Sequence, residues 1–129
     1  MPAQLSLAVV GAQHPNRKGP TRLFEIRLCT PGEPVHLIPE PKNPADPRAV
    51  AVFSARKIQI GYLTAERAPW IGNMMAQGRD VRAIFQQATT SGAVIRASLD
   101  GSEPILPVPL QTQPPADPDF WPDWIPPDD

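Results

Sequence analysis

Short apolar runs separated by turn residues fill the first hundred positions of the chain. "LSLAVVG" at 5–11 is an apolar run closed by a glycine, which is typical of a strand that ends in a turn. "RLFEIRL" at 22–28 alternates, with Phe24, Ile26 and Leu28 on one side. This period of two predicts a second strand.

The same pattern continues through the middle of the chain. "VHLI" at 35–38 predicts a short strand, and "AVAVF" at 49–53 with "IQIGYL" at 58–63 predicts a hairpin. "DVRAIFQQAT" at 80–89 and "GAVIRASL" at 92–99 predict a last hairpin, although the first of these segments could form a helix on propensity alone.

The segment "TAERAPWIGNMMAQG" at 64–78 has the period of a helix. Thr64 is a candidate N-cap, Pro69 falls early enough to be tolerated, and Gly78 is a candidate terminator. The spacing of three, three and one along its apolar positions places one face toward a core. These positions are Ala68, Ile71, Met74 and Met75.

These elements predict a mainly β protein with one or two short helices, closed into a small barrel of about six strands. We expect residues 1–101 to form this single barrel domain. Residues 102–129 contain nine prolines and five aspartates, so we expect an acidic tail that is extended or disordered unless it docks.

Charge is distributed unevenly along the 129 residues. The formal net charge is −1, but residues 1–113 carry all twelve Lys and Arg with eight acids, whereas residues 114–129 carry five Asp and no basic residue. The chain is therefore a mildly basic body with an acidic tail. Since it has no run of eighteen apolar residues and no signal-like start, we expect a cytoplasmic protein with no membrane contact.

The sequence contains no recognisable catalytic set. It has no glycine-rich phosphate loop and no serine in a nucleophile elbow, so we expect no enzymatic activity and no cofactor. The single cysteine, Cys29, lies in an apolar run and is best explained as a buried structural thiol. His14 and His36 lack the spacing of metal ligands, so no metal site is predicted.

The proline-rich connector "EPKNPADPRAV" at 40–50 has a backbone restrained before any ligand arrives. Each proline fixes its own φ and pushes its predecessor toward extended geometry, which restrains Asn43 and Asp46. Such a loop can present polar groups at little entropic cost on binding.

Three stretches resemble the HIRAN domain family: "VVG" at 9–11, "LIPEPKNPADPRAVAV" at 37–52 and "IGYLTAERA" at 60–68. The resemblance covers about residues 5–98 and implies an OB-like barrel that binds DNA. Members of the family stand alone in bacteria or are fused to helicase-like remodelling enzymes, and the fused members capture the 3′ end of single-stranded DNA.

The resemblance also implies roles for individual residues. Asp46 would accept a hydrogen bond from the 3′-hydroxyl, Asn43 would hold the turn beside it, and the loop after Gly11 would form the other wall. Those members carry an arginine and an aromatic residue where this chain has Gln13 and His14. They also carry an aromatic residue at position 45 and a basic residue near position 65, both alanine here.

Because stacking contributes roughly 1–3 kcal/mol per base, we expect the missing aromatics to weaken end binding. Basic side chains that could follow phosphates are Arg17, Lys18, Lys42, Arg48, Arg56 and Lys57, with ordinary surface charge as the alternative. The predicted nucleic-acid contacts are Gln13, His14, Asn16, Arg17, Lys18, Lys42, Asn43, Asp46, Arg48 and Tyr62. A turn brace at Asp46 and a packed barrel residue at Tyr62 are the alternatives for those two positions.

The tail ends in "DFWPDWIPPDD", which sets Phe120, Trp121, Trp124 and Ile125 among acids and prolines. Large aromatics are uncommon in disordered linkers, so this segment favours docking. It could recruit a partner protein, fold back over the basic body in competition with nucleic acid, or cover an apolar patch on the barrel.

The sequence therefore predicts a non-catalytic nucleic-acid-binding module, with single-stranded DNA or DNA 3′ ends in repair or replication as its ligand. The alternative is a protein-interaction adaptor that acts through its acidic aromatic tail and has lost DNA binding.

Overall fold

The computed structural model describes residues 3–107, and within them six strands and two helices follow one another along the chain. They are β1 (Gln4–Val10), α1 (Arg22–Leu28), β2 (Pro34–Pro39), β3 (Val50–Phe53), β4 (Gln59–Leu63), α2 (Ala68–Ala76), β5 (Arg82–Ala88) and β6 (Ala93–Ser98). The predicted tail contacts Phe120, Trp121, Trp124 and Ile125 lie outside the described residues.

The six strands form a closed antiparallel barrel in the order β1, β4, β3, β2, β5, β6. This confirms the predicted mainly β barrel of about six strands with one or two short helices, and the structure has two helices. Neighbouring strands pair along three to six residues in four places, but along only two residues in the other two places, which we call the seams. At one seam β1 meets β4 only through Val9–Leu63 and Val10–Tyr62. At the other, β2 meets β5 through two residue pairs near the start of each strand, and the Phe85 backbone also bonds Gly32 and Glu33 just before β2.

Alternate residues of the strands fill the barrel interior, as the period of two requires. Val52, Ile60 and Ile95 have no exposed surface, and Phe85 is 2 % exposed. The helix α2 packs on β3, and α1 packs on β4. Within residues 3–107 no helix is long and apolar enough to cross a membrane.

The strand predicted over "RLFEIRL" is wrong, because the segment is α1. Thr21 is its N-cap, and the Thr21 Oγ1 accepts a hydrogen bond from the Phe24 amide at 3.1 Å. The buried residues are Arg22, Glu25 and Ile26, a helical spacing of three and one, while Phe24 is 55 % exposed. The buried face is mostly charged, so the helical period does not show in the apolar residues.

A buried carboxylate fastens α1 to the turn after β3. Glu25 is 1 % exposed, and its Oε2 accepts hydrogen bonds from the Ser54 hydroxyl at 2.7 Å and the Arg56 Nε at 2.6 Å. Arg56 also reaches Glu33 at 3.3 Å, so this arginine bridges two carboxylates. Partial burial raises the pKa of the nearby Cys29 thiol, whose Sγ donates to the Glu25 carbonyl at 3.3 Å.

The helix predicted from Thr64 begins four residues later, at Ala68. The Thr64 carbonyl accepts from the Arg67 and Ala68 amides, so Thr64 closes a turn that leads into the helix. Pro69 stands at the start of the helix, where its missing N–H costs nothing. The predicted core face is confirmed for Ala68, Ile71 and Met74, and Gly78 follows the C-cap with φ +84°.

Candidate nucleic-acid interface

Three segments of the barrel enclose a groove of about 740 Å³, which we call the basic groove. One wall is the loop after β1, the other is the first half of the β2–β3 connector, and the floor comes from the β3–β4 turn and β4. The lining residues are Pro15, Asn16, Arg17, Lys18, Arg22, Glu40, Pro41, Lys42, Asn43, Pro44, Phe53, Lys57, Ile58, Gln59 and Tyr62.

The wall formed by the loop after β1 is braced by Asn16. Its side-chain amide donates to the carbonyls of Pro20 at 3.1 Å and Gln59 at 3.0 Å, and its Oδ1 accepts from the Arg22 Nε at 2.9 Å. Arg22 is buried and also donates to the Gly11 carbonyl at 2.9 Å. The polar groups of both side chains therefore stabilise the loop. Arg17, the next residue after Asn16, is exposed.

The connector wall is held by two successive side-chain turns. The Asn43 Oδ1 accepts from the amides of Ala45 at 2.8 Å and Asp46 at 3.1 Å, and its Nδ2 donates to the Glu40 Oε1 at 2.9 Å. The Asp46 Oδ1 in turn accepts from the Arg48 amide at 2.9 Å. These bonds close the loop locally, as Asn and Asp side chains do in turns, so the wall keeps its shape without a ligand.

Tyr62 joins the floor of the groove to both walls. Its hydroxyl donates to the Glu40 Oε1 at 2.9 Å, and the Arg22 guanidinium lies 5.5 Å from its ring centroid. Half-buried Phe53 adds an apolar patch to the lining. Beside it, Lys57 adopts φ +67° in the tight turn between β3 and β4.

Positive charge dominates this groove. Its lining contains five basic side chains and a single carboxylate, that of Glu40. Arg17, Lys18, Lys42 and Lys57 are exposed, and none of them lies within 4 Å of a carboxylate of residues 3–107. Arg56 differs, because the hydrogen bonds that it donates to Glu25 and Glu33 raise its pKa, and it does not line the groove. Four cations therefore remain available to an anion.

The structure brings together six of the residues predicted to contact nucleic acid. Asn16, Arg17, Lys18, Lys42, Asn43 and Tyr62 all line the basic groove. Gln13 and His14 are exposed in the turn after β1 and do not line it, and half-buried Asp46 lies farther along the connector. Arg48 lines a different groove, on the other side of the connector.

Sequence reasoning missed Arg22, Phe53 and Gln59. Arg22 was hidden in the segment predicted as a strand, and Phe53 was assigned only to the barrel. Thr21 is the sequence signal that could have revealed Arg22, because a threonine N-cap predicts a helix beginning at that residue. In the part of the chain from 3 to 107, no three His, Cys, Asp or Glu side chains are grouped as metal ligands.

The barrel, with its proline-rich connector between β2 and β3, has counterparts among known proteins. The HIRAN domain family model matches residues 4–99, which is the whole barrel. The chain belongs to the HIRAN domain family. HIRAN domains are DNA-binding modules, so membership assigns the chain to that class.

Two solved structures share this HIRAN fold. The crystal structure of the HIRAN domain of human HLTF aligns with a TM-score of 0.60 at 19 % identity, covering 74 % of each chain. A crystal structure of a protein from Lactobacillus plantarum aligns with a TM-score of 0.59 at 19 % identity, covering 74 % of this chain and 95 % of that one. No curated protein matches the chain in sequence.

Proposed function

We propose that this HIRAN domain binds single-stranded DNA non-catalytically, in repair or replication, with the phosphate backbone lying in the basic groove. The observation that carries the proposal is the set of four exposed, unpaired cations of residues 3–107 around one braced groove. Cations placed along a groove neutralise phosphates and release counterions, which is the main source of affinity for a nucleic-acid strand.

The aromatic residues of the groove support a modest contribution from bases. One face of Tyr62 is occupied by the Arg22 guanidinium and its hydroxyl is bonded to Glu40, so this ring is already engaged. Phe53 remains as an apolar surface in the lining. With few stacking platforms, binding is expected to depend mainly on phosphates and weakly on base sequence.

Recognition of a 3′ end is the finer part of the proposal, and it concerns Asp46. One carboxylate oxygen of Asp46 braces the turn through the Arg48 amide. The side chain is half-buried and lies three residues after Asn43 on the connector. Its second oxygen makes no hydrogen bond with the described residues and could accept one from a terminal hydroxyl.

Fluorescence anisotropy with labelled oligonucleotides at low salt tests both parts. A strand with a free 3′-hydroxyl is compared with the same strand blocked by a 3′-phosphate. We expect both to bind, and the free end to bind more tightly in the wild type but not in Asp46→Ala. Equal binding of the two strands would reject end recognition, and no binding of either would reject the DNA-binding role.

The alternative role as an adaptor rests on tail residues outside the described part of the chain and stays a prediction. The cytoplasmic location and the lack of enzymatic activity also stay predictions.

A further inference from the structure

A second groove, which we call the apolar groove, lies between α2 and the outer side of the β2–β3 connector. Its volume is about 920 Å³. Prolines of the connector form one wall, and Trp70, Met75 and Ala76 of α2 form the other. Pro41 lines both this groove and the basic groove, so the connector is a wall common to the two.

The apolar groove has the chemistry of a site for aromatic and proline side chains. Trp70 and Met75 pack against the barrel core but stay partly exposed, and no segment among residues 3–107 covers them. Grooves that combine an aromatic residue with proline surfaces are the kind that proline-containing segments dock into. Its lining contains one charged residue, Arg48, whereas that of the basic groove contains six.

Two arginines flank the apolar groove. Arg48 is in its lining, and the Arg67 guanidinium lies 5.4 Å from the Trp70 ring centroid. Neither arginine is within 4 Å of a carboxylate of the described residues. The groove therefore suits a ligand that is apolar at its centre and acidic at its ends.

The chain's own C-terminal segment has this composition. Residues 120–127, "FWPDWIPP", contain three aromatic residues and three prolines, and aspartates occur before, within and after them. Twelve residues, 108–119, separate Pro107 from Phe120. An extended linker of that length spans about 40 Å at about 3.1 Å per residue, which exceeds the roughly 30 Å diameter of a small domain.

We propose that residues 120–127 dock in the apolar groove of the same molecule, with Trp121 and Trp124 against Trp70 and the connector prolines. The aspartates around them then lie beside Arg48 and Arg67. This interaction leaves the basic groove open and does not depend on the DNA-binding role. It assigns the aromatic tail to a surface of the barrel and not to competition with nucleic acid.

The indole N–H signals of the full-length, ¹⁵N-labelled protein test the proposal. Ala76 is exposed at the edge of the groove, so a charged residue there leaves the core intact. In Ala76→Glu we expect the Trp121 and Trp124 signals to move to the positions of a synthetic peptide of residues 114–129. The matched Ala76→Lys adds a charge of the opposite sign, which does not repel the aspartates of the tail. In this variant the two signals should therefore keep their wild-type positions.

A second variant approaches the contact from the tail. Trp121→Ala with Trp124→Ala should shift the Trp70 indole and the Met75 amide and leave the Lys57 amide unmoved, while Gln111→Ala with Gln113→Ala should shift none of them. Tail signals already at the peptide positions in the wild type would overturn the proposal. So would shifts centred on Lys57, or positions that change with protein concentration, which would indicate a second copy.

Discussion

Glu25 is a charged residue buried between α1 and the turn after β3. The carboxylate is 1 % exposed and binds Ser54 and Arg56. Glu25→Ala removes these charge-assisted hydrogen bonds and opens a small cavity beneath α1. We expect the free energy of unfolding to fall by about 2–4 kcal/mol, measured by urea denaturation followed by circular dichroism.

Glu33→Gln is the matched control, since Glu33 binds the same arginine from the surface with a side chain 27 % exposed. Exposed pairs contribute little, so its cost should stay below about 1 kcal/mol. A loss for Glu33→Gln equal to that for Glu25→Ala would contradict the view that burial gives Glu25 its weight.

Residues differ in how far the sequence alone predicts them. The brace at Asn43 follows from a local rule, because Asn before proline fastens the turn it belongs to, and its bonds to Ala45 and Asp46 confirm this. The burial of Arg22 and Glu25 could not be predicted in this way. The partners of Glu25, which are Ser54 and Arg56, lie 29 and 31 residues farther along the chain. Arg22 binds the nearer Asn16 and Gly11, but it lies in a segment whose apolar alternation predicts a strand.

Gly61 shows at the level of an element why the "GYL" segment of β4 needs a glycine. A Cβ at this position would collide with the Val10 carbonyl and approach the Val9 Cγ1 to 2.7 Å. Gly61→Ala must therefore push β4 away from β1 at a seam that has only two residue pairs. We expect a loss of about 2–3 kcal/mol in the free energy of unfolding, measured by thermal or urea denaturation.

Gly72 in α2 provides the opposite case and a control. A Cβ there would meet the Val50 Cγ2 at 3.5 Å, an ordinary contact, inside a helix. Gly72→Ala should stabilise the protein by about 0.5–1 kcal/mol, because alanine loses less backbone entropy than glycine in a helix. Destabilisation by both variants to the same extent would show that the collision at Val10 is not the cause.

Elements with an apolar period were predicted, and the element with a polar buried face was not. Strands β5 and β6 bury alternate residues over most of their length, so their sequences show the pattern directly. β3 buries residues 50–52 in succession, and its continuous apolar run with β-branched residues predicts the strand. In α1 the buried face is Arg22, Glu25 and Ile26, whereas the exposed face contains Phe24 and other apolar residues. Hydrophobicity alone would therefore predict the exposed face of α1 to be buried and its buried face to be exposed.

At the scale of the whole molecule, we expect the uneven distribution of charge to direct nucleic acid to the basic groove. If the four exposed cations of the basic groove each meet a phosphate, the logarithm of affinity for single-stranded DNA should fall with the logarithm of salt concentration with a slope of about −3. Lys57→Gln and Lys18→Gln should each reduce the magnitude of that slope by about 0.7. Anisotropy titrations over a series of salt concentrations measure it.

Arg82→Gln is the control for those titrations. Arg82 is exposed and paired with Asp80 at 3.0 Å, and it does not line the basic groove. Its substitution should leave the slope unchanged. An equal effect of Arg82→Gln would mean that net charge governs binding and that the groove does not.

The two seams divide the barrel into halves of three strands, β1 with β6 and β5, and β4 with β3 and β2. Within the first half β1 pairs with β6 through six residues, whereas each seam has two pairs. Native-state hydrogen exchange should therefore show that the backbone amides at the seams exchange through partial openings that leave both halves intact. The free energy of these openings should lie well below that of global unfolding. The barrel would then open locally at either seam. The seam between β1 and β4, formed by Val9, Val10, Tyr62 and Leu63, borders the basic groove, so its opening would change the shape of that groove.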